Sequence, residues 1–358
     1  MNVGILGCGN IGSGVLNLID NIKDKDVKVL KVFDLPVKKE MLKERFADTI
    51  EDVCANPNID TVVEAMGGDE FPYKCIKMAL LNKKNVVTSN KEVVSKHLEE
   101  FYSLAKENGV YFMCEASVGG GIPLICSLID SVKINSISRV YGIINGTTNY
   151  ILTRMNNEGI SLDEALLKAK ELGFAEADAT ADLEGLDMLR KICILSSIAY
   201  GGYVPYSSIY HYGITKVTKE ILDGIKKQGY VLKFVAESRL DGENVKIAVE
   251  PVLVTSKNPL SGVSYEFNAV YYQASTNDLL GFYGKGAGKF PTATAMVADI
   301  QRILSKSEQY YFENNNSFNV SNFTKDADYY VVENGVGKIV KGLEKCACEY
   351  DFVARIFD

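Results

Sequence analysis

Histidine is nearly absent from this chain: two residues, His97 and His211, in 358. That excludes a multi-histidine zinc centre and an active site run by imidazoles. Acid–base chemistry must fall to Lys, Asp, Glu, Tyr or Cys. His97 follows Lys96 in a helical pattern and reads as a surface residue. No run of 18 apolar residues occurs, so no membrane span is expected. No two cysteines stand as C-x-x-C. The eight thiols lie mostly in apolar runs such as Ile192-Cys193-Ile194 and read as reduced side chains of a cytoplasmic protein. Cys346-Ala347-Cys348 has the spacing of a redox pair, which alone says little. Positive charge is also short. Thirty-nine Lys and Arg face 46 Asp and Glu, a net charge of −7, so no nucleic-acid footprint is expected. An anionic small substrate stays open, because a local site can be positive.

What is present is the material of a globular protein: 47% hydrophobic and 24% charged residues. The length suggests two domains. MNVGILG opens as a strand at once, leaving no place for a signal peptide. Gly7-Cys8-Gly9-Asn10-Ile11-Gly12 follows, then a helical recurrence of Ile11, Val15, Leu18, Ile19 and Ile22, then a strand ending at Asp34. In a strand–turn–helix–strand setting this G-x-G-x-x-G predicts a dinucleotide site. The glycines permit the tight turn, the approach of a pyrophosphate and close helix–strand packing. Gly7, Gly9, Asn10, Ile11 and Gly12 are the candidate cofactor contacts. Asp34 is placed to accept from the ribose hydroxyls of NAD and to repel the 2′-phosphate of NADP. Lys38 and Lys39 stand close behind and partly offset that repulsion, so NAD is favoured with NADP left open.

Strands at 60–66, 85–89 and 110–115 alternate with helices at 72–82 and 92–108. This predicts an α/β, doubly wound parallel sheet. Lys91 stands at a C-terminal strand end, where such sheets bind ligands. It is either a surface lysine or a functional one, and a cation at a helix start favours the second. EASVGGGIP at 115–123 reads as a domain hinge or as a small cation site built on Glu115 and backbone oxygens. Beyond it the pattern turns to α+β, with a turn at Asn145-Gly146, Thr147 or Thr148 as N-cap, and strands near 231–237, 245–254 and 267–274. A helix after GKGAG at 284–288 carries an apolar stripe fit to pack back on the first domain.

The densest signal is GFAEADATADLEGLDMLRK, residues 173–191. A helix starting near Asp182 puts Asp187 and Lys191 four residues apart on one face. Glu176 precedes it in a loop. Two carboxylates and an amine suit a zwitterionic substrate. The alternative is a solvated surface ion pair, the usual fate of such pairs.

Taken together, the glycine turn, TSNK at 88–91, EASVGGGIP, GIINGTTNYIL at 142–152, the acidic run and GKGAGKFPTA at 284–293 resemble homoserine dehydrogenase over residues 1–305. The resemblance implies NAD(P)-dependent interconversion of L-aspartate 4-semialdehyde and L-homoserine, a step toward threonine and methionine. It implies that Glu176 and Asp187 hold the substrate, that Lys191 is the proton donor, and that Lys91 is a second active-site lysine near the cofactor. It implies that Gly173 and Gly288 approach the nicotinamide half. It also implies a sodium or other monovalent cation at Glu115 with Val118, Gly120 and Ile122, and a homodimer formed through the second domain. The expected domains are 1–121, completed by helix 289–305, and 122–288 for substrate and dimerisation. A linker at 306–326 then leads to a β-α-β tail at 327–358, at most half of an ACT-like regulatory domain. Ala179 and Ala181 depart from the family, which often has proline and aspartate there. Two rivals remain at this point. Another amino-acid-pathway dehydrogenase acting on the semialdehyde needs a nucleophilic cysteine, and Cys114 in its apolar strand suits that poorly. A non-catalytic nucleotide sensor has no need of Lys91, Glu176, Asp187 and Lys191 together.

Overall fold

The computed structural model describes residues 1–22, 26–312 and 318–357. They form two units. The first is Met1–Asp130, Gly201–Tyr203 and Ala287–Asn316; the second is Ser131–Tyr200, Val204–Gly286 and Ser317–Asp358.

In the first unit, short apolar runs form six parallel strands: β1 (Asn2–Leu6), β2 (Lys28–Phe33), β3 (Phe46–Ala47), β4 (Thr61–Glu64), β5 (Asn85–Thr88) and β6 (Phe112–Met113). Their order is β3-β2-β1-β4-β5-β6. Val62, Val63, Val86 and Val87 are fully buried, as expected where helices cover both faces. The order reverses between β1 and β4, and ligands bind outside the strand ends at such a reversal. The helix Lys289–Leu304 returns as its stripe predicts. Ala293, Met296 and Ile300 join Val3, Ile5, Val15 and Ile19 in one core. The helix Leu124–Val132, expected to open the second domain, sits largely with the first unit instead. The reason is local: the Glu115 carboxylate accepts from the N–H groups of Ile125 and Cys126 at its start.

The second unit is built on one mixed sheet: β7 (Ile137–Ile143), β8 (Tyr210–His211), β9 (Tyr230–Asp241), β10 (Asn244–Thr255), β11 (Phe267–Ala274), β12 (Asp278–Lys285), β13 (Asn319–Ser321), β14 (Asp328–Glu333), β15 (Val336–Lys341) and β16 (Phe352–Ile356). The main path runs β12-β11-β7-β9-β10-β16-β14-β15. The hairpin β9–β10 stays in register from Asp241–Asn244 to Tyr230–Thr255. Along the other edge of β10 lie β13, β8 and β16 in turn. The helix Leu186–Tyr200 packs on β7 and β9 and is buried almost throughout.

The tail corrects its expectation. No helix forms at GVGKIVKGLEK. Val336–Lys341 is a strand that turns back on β14 through Asn334-Gly335, both at positive φ. This is the residue pair that a two-residue hairpin loop favours. The tail is therefore not half of a β-α-β module. It completes the second unit's sheet through β16, where Arg355, 2% exposed, bonds Glu237 and Glu250 at 2.6 Å each. Tyr329 also donates to Glu250, at 3.0 Å. Part of the expected 306–326 linker, residues 313–317, lies outside the described residues, and Asn319–Ser321 is a strand rather than loop. Among the described residues no helix is long and apolar enough to cross a membrane.

Candidate active site

The cofactor half lies in the first unit. Gly7 stands at φ +87°, and a Cβ there would fall 2.9 Å from the Ala65 carbonyl. At Gly12 a Cβ would lie 1.8 Å from the Gly7 carbonyl, so only glycine lets the helix start this close to β1. Around Gly9 the space is open. The helix Asn10–Asn21 begins with no side-chain cap, which leaves its first N–H groups and its positive dipole end to an anion.

Asp34, at the end of β2, accepts from the N–H of Leu35 at 2.6 Å and from that of Cys8. It borders a cavity of about 450 Å³ whose walls include Gly7, Phe33, Leu35, Pro36, Met66 and Phe71. A largely apolar slot with Asp34 at the glycine turn and Asp48 also on its wall fits the adenosine end of a dinucleotide. Lys39 also lines it, while its ammonium pairs with Asp48 at 2.8 Å.

Across the strand reversal, three polar side chains lock two loops. Glu64 at the end of β4 is fully buried. It accepts from Thr88 Oγ1 at 2.5 Å and from the Met66 N–H at 2.7 Å. Thr88 Oγ1 in turn accepts from the Asn90 N–H at 3.0 Å. Asn90 caps the helix Lys91–Asn108 by accepting from Val93, and donates to the Gly68 carbonyl at 2.9 Å. Burial pushes the Glu64 carboxyl up to about 7, against those donors. Lys91 follows directly as the first residue of its helix and is half-buried. Sequence reading passed over Glu64 because it ends an apolar run.

At 115–122 the chain turns through Gly119 and Gly120, both at positive φ. The Glu115 carboxylate is committed to the helix start, with Arg302 at 3.9 Å, and the Glu115 and Ile122 carbonyls accept from the N–H groups of Val118 and Leu124 at 3.3 and 2.8 Å. Among the described residues no cluster of three or more His, Cys, Asp or Glu is arranged to hold a metal.

The second unit carries the acidic run. The helix starts in two pieces, Thr180–Leu183 and Leu186–Tyr200, broken at Gly185 with φ +86°. Asp187 and Lys191 pair at 2.7 Å, and both are under a tenth exposed. The solvated surface pair is thereby excluded. Lys191 also donates to the Ile144 carbonyl at 2.7 Å. Asn145 donates to Asp187 at 2.9 Å and to Asp182 at 2.7 Å. The N-cap of helix Gly146–Glu158 is Asn145, not Thr147 or Thr148. One amide side chain thus starts that helix and fixes two carboxylates. Asn before Gly-Thr-Thr was the available signal.

Glu176 is exposed in the loop before Thr180, and the structure does not bring it into contact with the Asp187–Lys191 pair. Gly173, at φ +75° with open space around it, ends the preceding turn. Gly288, at φ +125°, starts the helix Lys289–Leu304 in the first unit.

Two family models match. "Homoserine dehydrogenase, NAD binding domain" covers residues 7–115, and "Homoserine dehydrogenase" covers residues 123–301. A homoserine dehydrogenase of Bacillus subtilis is 39% identical over 315 residues, 85% of this chain and 73% of the relative. One from Synechocystis is 38% identical over 320 residues, with the same coverage of both chains. The crystal structure of a homoserine dehydrogenase from Thiobacillus denitrificans superposes with a TM-score of 0.89 at 28% identity, covering 100% of this chain and 98% of that one. A hyperthermophilic archaeal homoserine dehydrogenase in complex with NADPH gives a TM-score of 0.73 at 26% identity, over 86% of this chain and 98% of that one. With a dinucleotide turn in one unit and a buried Asp–Lys pair in the other, the chain belongs to the homoserine dehydrogenases, oxidoreductases with an NAD(P)-binding domain.

Proposed function

We propose that Lys191 is the group that exchanges a proton with the substrate oxygen when this enzyme interconverts L-aspartate 4-semialdehyde and L-homoserine. Bound NAD(P) supplies or takes up hydride at the carbon bearing that oxygen. The Lys191 ammonium stabilises the charge that develops on the oxygen and delivers a proton in reduction. In oxidation the same amine must first be neutral. The observation that carries this reading is the buried Asp187–Lys191 pair, held further by Ile144 and Asn145. Such an amine is oriented before substrate arrives.

Asp187 and the exposed Glu176 serve as anionic partners for the substrate ammonium, with Glu176 moving in from its loop. Lys91 acts beside the cofactor. Gly7, Gly9, Asn10, Ile11 and Gly12 cradle its pyrophosphate, Asp34 holds its ribose, and Gly173 and Gly288 border its nicotinamide half. The Asp34 carboxylate favours NAD over NADP. Carbonyls at 115, 118, 120 and 122 hold sodium or another monovalent cation in a structural role. A second copy of the chain pairs through the second unit, where the edge strand β12 exposes Leu279 and Tyr283. The enzyme works in the cytoplasm on the route to threonine and methionine.

The direct test is NAD(P)-dependent oxidation of a panel of amino alcohols by the purified chain. Homoserine should be turned over well above its shorter and longer homologues. Equal rates across the panel, or turnover of the semialdehyde only with phosphate, would overturn the reading.

A further inference from the structure

Of the eight cysteines, Cys8, Cys54, Cys75, Cys114 and Cys193 are buried and Cys126 is partly so; only Cys346 and Cys348 are exposed. Burial pushes the Cys126 and Cys193 thiols up to about 12, and that of Cys114 higher still. Such thiols are slow nucleophiles, because the thiolate is the reacting form. Cys54 and Cys75 also interact with each other, but both are sealed at 0% exposure.

The exposed pair differs in geometry. Its two sulfurs lie 2.8 Å apart. A disulfide bond measures about 2.05 Å, so closing it draws the sulfurs together by less than about 1 Å. The turn that carries them is held at both sides. The Cys346 N–H donates to Glu349 Oε1 at 3.1 Å, and Lys216 donates to the carbonyls of Cys348 and Tyr350 at 2.9 and 2.8 Å. The thiol of Cys348 lowers the pKa of Cys346, so one member of the pair is the better nucleophile. A second thiol beside an attacking one is the arrangement of a resolving cysteine.

We propose that Cys346 and Cys348 form a reactive dithiol site that low-molecular-weight disulfides of the glutathione type convert to an intramolecular disulfide. The Cys346 thiolate attacks one sulfur of the small disulfide. The S–S bond of that reagent breaks, one small thiolate leaves and takes up a proton, and a mixed disulfide remains on Cys346. Cys348 then loses its proton to solvent and attacks the Cys346 sulfur, expelling the second small thiolate. Two protein thiols are oxidised by two electrons, and the small disulfide is reduced to two thiols. The reverse exchange with excess small thiol restores the pair.

The test treats the reduced full-length chain with oxidised glutathione and follows intact mass and peptide maps. The expected product has lost two hydrogens in the peptide containing Cys346 and Cys348, carries no adduct, and returns to the starting mass with dithiothreitol. Cys346→Ser and Cys348→Ser should each instead retain one glutathione adduct on the remaining thiol. Both positions are exposed, so neither variant is expected to disturb folding. Stable adducts on both thiols of the unaltered chain, cross-links between chains through these residues, or no reaction under conditions that oxidise a free dithiol peptide would each overturn the proposal.

Discussion

Lys191 and Asp187 pair at 2.7 Å one helical turn apart, with less than a tenth of either residue exposed. Removing one member of such a pair strands the other charge in a low-dielectric place. Lys191→Ala should cut turnover by about 10²–10⁴-fold, with NAD(P) affinity nearly unchanged. Asp187→Ala should also raise the KM for homoserine, because it removes an ammonium partner. Steady-state kinetics with circular dichroism and cofactor titration check both. Near-native turnover in a folded Lys191→Ala protein would transfer the proton role to Lys91.

Asp34 does two things at once. It faces the cavity beside the glycine turn and holds the N–H groups of Cys8 and Leu35. Asp34→Ser should raise the ratio of NADP to NAD use by removing repulsion of the 2′-phosphate. It should also slightly lower thermal stability, since the turn loses acceptors. Kinetics with both cofactors and a melting curve separate the effects. An unchanged cofactor ratio would move the selectivity to Lys38 and Lys39.

Glu64 should make stability fall between acid and neutral pH. Its carboxyl is raised from 4.5 to about 7 by burial. Between those values the folded chain binds more protons than the unfolded chain, so the free energy of unfolding decreases as pH rises. The contribution is complete below about pH 4.5 and gone above about pH 7, at most roughly 3 kcal/mol by 1.36 kcal/mol per unit. Asp299, raised to about 7 by burial and then by Glu115, adds a slope of the same sign. Urea unfolding at several pH values should show a flatter dependence in Glu64→Gln. An identical slope would mean that Glu64 binds its proton equally in the folded and unfolded chain.

Arg355 should be indispensable to the second unit. It pairs with Glu250 and, beside Arg139 and Arg239, with Glu237, both carboxylates being buried in neighbouring strands. Arg355→Met should destabilise by about 3–5 kcal/mol. Deleting 327–358 should give aggregated protein, the reverse of what a detachable tail would do. A soluble, active deletion would refute the integrated role of β16.

The difference between what could be read from sequence and what could not follows the range of the interactions. Gly7, Gly9 and Gly12 were legible because their constraints act within one turn. The Asp187–Lys191 pair was legible because helical spacing alone brings it together. Its burial was not, since that depends on strands β7 and β9 far along the chain. The tail misled because its segment, with a glycine at each end, mixes apolar and charged residues and fits a short helix or a strand. What decides for the strand is pairing with β14 and the partners of Arg355, which lie on β9 and β10. Asn145 was seen only as a turn residue, because its two carboxylate partners come from another segment.

The helix Lys289–Leu304 has a consequence for the order of synthesis. Its side chains Ala293, Met296 and Ile300 fill the core that begins with Val3 and Ile5. The nucleotide unit therefore lacks one of its covering helices until residues beyond 300 have left the ribosome. At about 5–20 residues per second, the interval after residue 130 lasts on the order of ten seconds or more. During it, Val15 and Ile19 lack the partners that bury them, and a nascent chain stalled before residue 289 should be a target for chaperones. Only after that helix emerges can β1 be fully enclosed.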